Sequence, residues 1–405
     1  MEYTARYLVK VEPGANNNKW YKCEPHGDTW TAKWGRVGND GQQKDYPRSM
    51  YEKKLNEKLK KGYVDQTSLV QDLIVEKKAS GAKGFKDIEN AAIREIVRRL
   101  QSFAKSSVEK NYEVSSDKVT QAMVDEAQKI LDDLTRVKDL GEFNETLVKL
   151  FRTIPRKMDK VQHFLAENKS QYPKIISREQ DTLDVMRGQV IQRVTTDDTE
   201  AETNDGAKTI LDSLGMQITP CTAEDVKNIK NHLGRTLGPK FKNAWRVVNL
   251  KTQKAYDDFV KANDIKVQKM FWHGSRNENW WSIMQTGLLI RPSNAVYTGS
   301  MFGDALYTSP TAMKSYGYTS GYGSCWARGN SSSAFMMVMD AAYGIPYDVY
   351  SFDPKYYQFN WDKLRQAKPN ATCLHAHAGS MLRNDEVVFY RTDQLTIHYL
   401  VELAA

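Results

Sequence analysis

Phe271-Trp272-His273-Gly274-Ser275-Arg276 is the stretch that decides how this chain is read. An apolar, aromatic run that stops at His-Gly-Ser reads as a strand entering a loop. Glycine there lets the backbone come close to a ligand. The histidine and serine beside it supply side-chain hydrogen bonds. Downstream lie Thr298-Gly299-Ser300-Met301-Phe302-Gly303-Asp304-Ala305-Leu306-Tyr307-Thr308-Ser309 and Lys314-Ser315-Tyr316-Gly317-Tyr318. Near the end stands Arg383-Asn384-Asp385-Glu386-Val387-Val388-Phe389-Tyr390, in which Glu386 opens an apolar strand. A carboxylate at the lip of a strand is well placed to work in a cleft. Singly these fragments are weak: His-Gly-Ser recurs by chance, and a lone histidine, tyrosine or strand-edge glutamate is more often structural.

Around these segments, residues 207–405 are rich in Tyr, Trp, Gly and Ser. Strand-like runs at 245–250, 270–273, 334–340, 386–390 and 395–401 predict a sheet-rich α+β domain. Residues 195–206, opening Thr-Thr-Asp-Asp-Thr-Glu, are polar and acidic and predict a linker or loop. Residues 78–194 carry helical stripes. Ile88, Ala92, Ile96 and Leu100 form one, and Val119, Met123, Ala127, Ile130 and Leu134 a second, with Ser116 or Asp117 as the expected N-cap. Leu147, Leu150, Phe151 and Ile154 form a third, ending at Pro155. Residues 1–75 alternate aromatic, β-branched runs (7–11, 19–23, 29–34) with turn signals at Pro13-Gly14, His26-Gly27-Asp28 and Gly38-Asn39-Asp40-Gly41. They predict a small antiparallel sheet followed by a helix at 48–62, where Tyr51, Leu55 and Leu59 recur every four residues.

The formal net charge of +8 fits a polyanionic partner without requiring one. No apolar run is long enough to cross a membrane, and the first residues lack the basic-then-apolar pattern of a secretory signal. Cys23, Cys221, Cys325 and Cys373 are widely spaced, so neither a zinc motif nor a disulfide framework is expected. Cys373, His375 and His377 alternate on what would be one face of a strand. No fourth donor stands at metal spacing in sequence, so no metal is expected. The chain is expected to be intracellular: nuclear if eukaryotic, cytoplasmic at the nucleoid if prokaryotic.

In order, His273-Gly274-Ser275, Met301-Phe302-Gly303 with Tyr307, Lys314-Ser315 with Tyr318, and Glu386 resemble the motif set of the poly(ADP-ribose) polymerase family, which uses a His-Tyr-Glu trio. The resemblance implies NAD+ as substrate, with Glu386, His273, Tyr307 and Lys314 catalytic. Glu386 would stabilise the oxocarbenium-like ribose and polarise the acceptor hydroxyl, and Lys314 would assist electrostatically. It further implies that His273, Gly274, Ser275, Tyr307, Ser315 and Tyr318 bind NAD+. His273 would hold the adenosine ribose, Gly274 and Ser315 the carboxamide, and Tyr318 and Tyr307 the two faces of the nicotinamide. Ser300, Asp304 and Ser309 depart from the family pattern near the expected donor-site loop.

Trp34-Gly35-Arg36-Val37-Gly38, with the lysine-rich run Tyr51 to Tyr63, resembles the WGR domain. That implies DNA binding through Trp34 and Arg36, with Lys53, Lys54, Lys58, Lys60 and Lys61 adding salt-sensitive attraction. Phe143 to Pro155 resembles the helical regulatory domain of the DNA-dependent members. The expectation is therefore a multidomain α+β protein: a WGR domain at 1–75, an all-α regulatory bundle at 78–194, a linker at 195–206 and a mixed α+β ADP-ribosyltransferase domain at 207–405. Broken DNA with 5′-phosphorylated ends or nicks, and protein acceptors including the chain itself, are the implied partners in a DNA damage response. Two alternatives stay open: a mono(ADP-ribosyl)transferase, separated by product length, and a non-catalytic DNA-end-binding scaffold, separated by NAD turnover.

Overall fold

The computed structural model describes residues 3–37, 41–70, 85–112, 116, 119–202, 208–290 and 301–404. Compact packing divides the chain into two units, 1–82 with 106–191, and 83–105 with 192–405. All four cysteines are unpaired.

In the first unit, β1 (Arg6–Glu12), β2 (Asn17–His26), β3 (Thr29–Arg36), β4 (Gln42–Pro47) and β5 (Val64–Asp65) form a sheet of order β4-β3-β2-β1-β5. The three aromatic runs become β1 to β3. The polar β4 carries no apolar alternation to announce it, because it is an edge strand with both faces largely wet. Leu8, Tyr21, Trp30 and Ala32 pack under Tyr51 and Leu55 of the helix Tyr51–Lys60, as the four-residue recurrence requires. Helices Gln121–Leu134 and Leu140–Thr153 carry the second and third stripes. The N-cap of the former is Thr120, whose hydroxyl accepts from the Met123 amide, so the expectation of Ser116 or Asp117 is corrected. Ser116 lies in a 3-10 turn and Asp117 lies outside the described residues. Thr120 wins because an N-cap must stand at the last extended residue, here with ψ 161°.

A helix runs from Tyr172 to Glu202, so the backbone is helical through most of the stretch predicted as a linker. Elongating an existing helix costs little compared with nucleating one, and this segment extends a long helix without a break. Residues 203–207 lie outside the described residues. Helix Ala91–Asn111 carries only part of the first stripe: Ile96 and Leu100 are buried with Ile93 and Val97, whereas Ile88 precedes the helix and Ala92 is exposed, and the units divide within this helix.

In the second unit, β6 (Met216–Pro220), β7 (Phe241–Asn249), β8 (Lys269–Gly274), β10 (Ser333–Ala341) and β14 (Leu395–Ala404) form an antiparallel sheet of order β6-β7-β14-β10-β8. A second sheet, order β11-β12-β13-β9, holds β9 (Leu306–Thr308), β11 (Pro346–Val349), β12 (Cys373–Ala376) and β13 (Glu386–Phe389). β10 is buried along nearly its whole length, which explains why Ala334 to Met339 is uninterruptedly apolar instead of alternating. From helix Ala91–Asn111, Arg99 forms a fork on Glu402 of β14, Nη1 to Oε2 at 3.1 Å and Nη2 to Oε1 at 2.7 Å. Burial alone would raise the Glu402 carboxyl, but the Arg99 guanidinium and the Ser333 hydroxyl bring it below its ordinary value.

One buried ion pair anchors the first unit. Arg156 Nη1 lies 2.9 Å from Glu179 Oε2, with the side chains only 3% and 2% exposed, and the Arg156 guanidinium also covers the Tyr112 ring at 5.0 Å. Removing one partner strands the other charge in a dry interior. Glu179→Ala is therefore expected to destabilise this unit by about 3–5 kcal/mol in denaturant unfolding followed by tryptophan fluorescence. The apolar double change Arg156→Met/Glu179→Leu should recover most of that loss.

Candidate active site

The site is built on the ends of β8, β9 and β13. Trp272 and Ser309 exchange both backbone hydrogen bonds, at 2.8 and 3.0 Å, and so join the two sheets. One residue further on, His273 Nδ1 lies 3.0 Å from the Tyr307 carbonyl oxygen. A carbonyl can only accept, so Nδ1 carries the proton and the neutral ring keeps Nε2 as an acceptor. Burial pushes the His273 pKa below its ordinary value, partly offset by that carbonyl.

Gly274 follows at a point where only glycine fits. A Cβ there would stand 1.8 Å from the Ser315 carbonyl oxygen. The close approach brings the end of β8 against the short helix Ala312–Tyr316, which carries Lys314 and the buried Ser315. Ser275 accepts from Asn279 Nδ2 at 3.0 Å and so ties its own loop.

Tyr307 pairs with Val388 across β9 and β13. Its hydroxyl accepts the Phe302 amide at 3.0 Å and donates to the Gly303 carbonyl at 2.8 Å, closing the Met301-Phe302-Gly303 turn. Gly303 has φ +81°, and a Cβ there would collide with the Phe359 backbone. Glu386, the first residue of β13, lies 2.7 Å from Lys314 Nζ, with the two side chains 12% and 13% exposed. Tyr318 is exposed as a residue and stacks on Trp326 at 6.3 Å. Burial of its phenol and the nearby Glu386 charge push it up to about 12. The motif segments spread from 273 to 386 are thus linked pair by pair: His273 to Tyr307, Gly274 to Ser315, Lys314 to Glu386.

Sequence reasoning missed Asn277 and Trp326. The backbone N–H of buried Asn277 donates to Ser320 Oγ at 2.9 Å, and its Nδ2 donates to the Ser333 carbonyl at 2.9 Å. An asparagine after a strand end gives only a turn signal, so nothing marked it as a pin. Ser309, expected by a donor-site loop, is instead buried beneath the site. Its hydroxyl donates to the Asp385 carbonyl at 2.8 Å. Ser300 lies outside the described residues, and Asp304 follows the Gly303 turn.

On the first unit, Trp34 and Arg36 share a face of β3, two residues apart. Gly35 between them packs against the Trp20 indole, where a Cβ would also meet Gly41 at 2.9 Å. Trp34 stacks on Tyr21 at 6.2 Å, and Lys58 Nζ sits 4.3 Å from the Tyr21 ring centre. Burial, with Lys61 and Lys54 nearby, lowers the Lys58 pKa. Arg36 donates to the carbonyls of Asn16 at 3.0 Å and Asp159 at 3.2 Å.

Residues 223–405 match the poly(ADP-ribose) polymerase catalytic domain, and residues 4–70 match the WGR domain. Over 183 residues the chain is 31% identical to uncharacterized protein 101L of Invertebrate iridescent virus 6, covering 44% of this chain and 75% of that one. It is 32% identical over 92 residues to poly [ADP-ribose] polymerase 2 of Homo sapiens, covering 23% of this chain and 15% of that one. With poly [ADP-ribose] polymerase 2 of Arabidopsis thaliana it shares 24% identity over 173 residues, 36% of this chain and 25% of that one. The matches to these two polymerases thus span a quarter of their length or less. No helix among the described residues is long and apolar enough to cross a membrane.

Two outcomes follow from this geometry. Gly274→Ala must drive β8 away from Ser315 and is expected to cost about 1–3 kcal/mol, read as a lowered melting temperature. For His273, the folded imidazole has the lower pKa, so the unfolded chain binds the proton between that value and about 6.5. Its contribution therefore makes stability fall as pH drops through that window. Imidazole NMR should find His273 still neutral, as the Nδ1–H tautomer, at pH about 6.5, where a free imidazole is half protonated.

Proposed function

Since the chain belongs to the poly(ADP-ribose) polymerase family, we propose that it cleaves the nicotinamide–ribose bond of NAD+ and builds poly(ADP-ribose) on itself and other proteins in response to broken DNA. The observation that carries this reading is the Lys314–Glu386 pair at 2.7 Å, at the lip of β13 and beside Tyr318. As the C–N bond breaks, nicotinamide leaves neutral and positive charge develops on the ribose. Glu386 is the group that stabilises it, in a site dry enough to make the carboxylate count. The same carboxylate accepts a hydrogen bond from the attacking hydroxyl, which supports elongation over mono-transfer. Lys314 holds Glu386 in place.

His273 offers its Nε2 acceptor to the hydroxyls of the adenosine ribose. The backbone of Gly274, bare because no side chain fits there, and the Ser315 hydroxyl take the carboxamide. Tyr318 and Tyr307 flank the ring, and Ser275 holds the loop behind His273. This is catalysis mostly by positioning. Trp34 stacks on an exposed sugar or base at a DNA end, and the lysines of helix Tyr51–Lys60 add attraction to phosphates. Arg36, bound to the Asn16 and Asp159 carbonyls, joins that face to the segment after the third helical stripe. The helical region 78–194 acts as the regulatory domain, restraining NAD+ entry until DNA docking loosens it.

Labelled NAD+, with and without a 5′-phosphorylated nicked duplex, tests the whole reading on a denaturing gel. A DNA-dependent high-mass smear, abolished by Glu386→Gln and made DNA-insensitive by Trp34→Ala, is the expected result. A single sharp DNA-dependent band would reduce the activity to mono-transfer. No label from folded protein would leave a DNA-end-binding scaffold.

A further inference from the structure

We propose that Trp326 and Tyr322, on the loop 317–331 beside the candidate active site, form a stacking platform for single-stranded nucleic acid, with Arg276, Arg328 and Lys240 taking its phosphates. The platform belongs to the second unit, whereas Trp34 belongs to the first. Its binding is read without NAD+ and does not rest on the transferase reading.

The loop is closed from within. The amides of Trp326 and Ala327 both donate to the Gly317 carbonyl, at 2.9 and 3.0 Å. The Ser324 hydroxyl donates to the Thr319 carbonyl at 2.8 Å and accepts the Gly329 amide at 2.8 Å. The Tyr322 amide donates to the Ser331 carbonyl at 3.1 Å, and the Ser331 amide to the Ser320 carbonyl at 2.9 Å. A Cβ on Gly317 would stand 2.8 Å from both Cys325 Sγ and Trp326 Cδ1, so the indole edge packs directly on that backbone. Even so, Tyr322 is 73% and Trp326 69% exposed. Trp326 rests on Tyr318, ring centres 6.3 Å apart and planes 24° apart, and most of the indole faces water. Single exposed aromatics are ordinary on a surface. Two within five residues, on a loop this firmly pinned, are different: the cost of ordering them is met by the fold before any partner arrives.

The charge around the loop selects the partner. Residues 305–339 contain no aspartate or glutamate, and their only charged side chains are Lys314 and Arg328. Lys314 is taken up by Glu386, the acid whose charge reaches Tyr318. Arg328 is exposed, on a backbone turned to φ +48°. Arg276 is exposed too, and its Nη2 donates to the Ala327 carbonyl at 3.3 Å, next to Trp326 in the chain. Lys240 Nζ lies 5.3 Å from the Tyr316 ring centre, and the Tyr316 hydroxyl reaches the Tyr322 carbonyl at 3.5 Å. None of Arg276, Arg328 and Lys240 pairs with a carboxylate among the described residues. Open aromatic faces flanked by unpaired cations, with no acid on the loop, match a strand whose bases are unpaired. The bases stack on the rings and the phosphates between them meet the cations. A duplex keeps its base faces inside its own stack and cannot use Trp326 in this way. An acidic peptide would satisfy the cations but offers the rings no flat partner. A strand seated on Trp326 lies against Tyr318, at the mouth of the candidate active site.

The test uses the full chain without NAD+ and the fluorescence anisotropy of labelled oligothymidine strands of about ten nucleotides, in roughly 50 mM salt. The Trp34→Ala chain should still bind the strand, which separates this surface from the Trp34 face. In that background Trp326→Ala/Tyr322→Ala should weaken binding at least about tenfold, and Trp326→Phe should keep most of it. Trp326→Ala alone gives the same direction of change should the double variant fail to fold. Arg276→Gln/Arg328→Gln should lower the slope of log Kd against log salt by about 1.4. A blunt-ended hairpin duplex should bind the parent and Trp326→Ala/Tyr322→Ala chains within about twofold of each other. An oligouridine strand of the same length separates the sources: tighter binding than oligothymidine points to RNA and weaker to DNA, and either supports the platform. The proposal is overturned if the folded Trp34→Ala chain binds neither strand at about 100 μM, or if the ring variants bind undiminished. It is also overturned if the hairpin loses as much affinity as the strand, or if oligoglutamate displaces the strand as well as unlabelled oligothymidine does.

Discussion

The pair of backbone hydrogen bonds between Trp272 and Ser309 is the constraint on which the second unit's chemistry depends. β8 belongs to one sheet and β9 to the other, and this bridge is where the two meet at full backbone geometry. Everything beside it inherits its precision. The His273 ring finds the Tyr307 carbonyl one residue on. Gly274 then passes against Ser315 closely enough to exclude any side chain. The Ser309 hydroxyl reaches the Asp385 carbonyl and so ties the bridge to the residue before Glu386. A site that works by positioning needs its parts on strands instead of on loops, because strands hold side chains to fractions of an ångström.

Charge is placed with equal economy. Lys314–Glu386, Arg99–Glu402 and Arg156–Glu179 each bring a cation to a carboxylate away from bulk water. Such pairs add little net stability over apolar packing, since desolvation offsets most of the Coulomb gain. What they do is select one arrangement, because leaving either partner alone is costly. Arg99–Glu402 holds the first part of helix Ala91–Asn111 on β14, and Arg156–Glu179 holds the segment after the third helical stripe to the long helix Tyr172–Glu202. Lys314–Glu386 differs in that its carboxylate is the group proposed above to act on the ribose, so under that reading the fixed geometry serves the reaction.

On the face of β3 in the first unit, aromatic stacking takes the part that buried ion pairs play in the other elements. Trp34, Tyr21, Tyr63 and Lys58 form one cluster in which the lysine lies over three rings. A cation held on aromatic faces is partly dehydrated already, and a partly dehydrated cation approaches phosphate at lower cost. Gly35, on the opposite face of β3 from Trp34, leaves room there for the Trp20 indole and Gly41.

The sequence by itself determined the element types wherever periodicity was strong: the three aromatic strands, the three helical stripes and the apolar β10 and β14. The ordered motif residues were legible through resemblance to a family, but the reason residue 274 must be glycine is the distant Ser315 carbonyl, which no local window shows. The sequence could not reveal β4 or the helical backbone beyond Thr195, where polar residues follow their neighbours' geometry instead of a pattern of their own. Nor could it reveal partners set by strand pairing. Lys314 meets Glu386, Ser309 meets Asp385, and Asp348 meets His375 only because register brings distant residues side by side. Register is a long-range property, fixed when whole faces are buried together, and no local window of residues contains it.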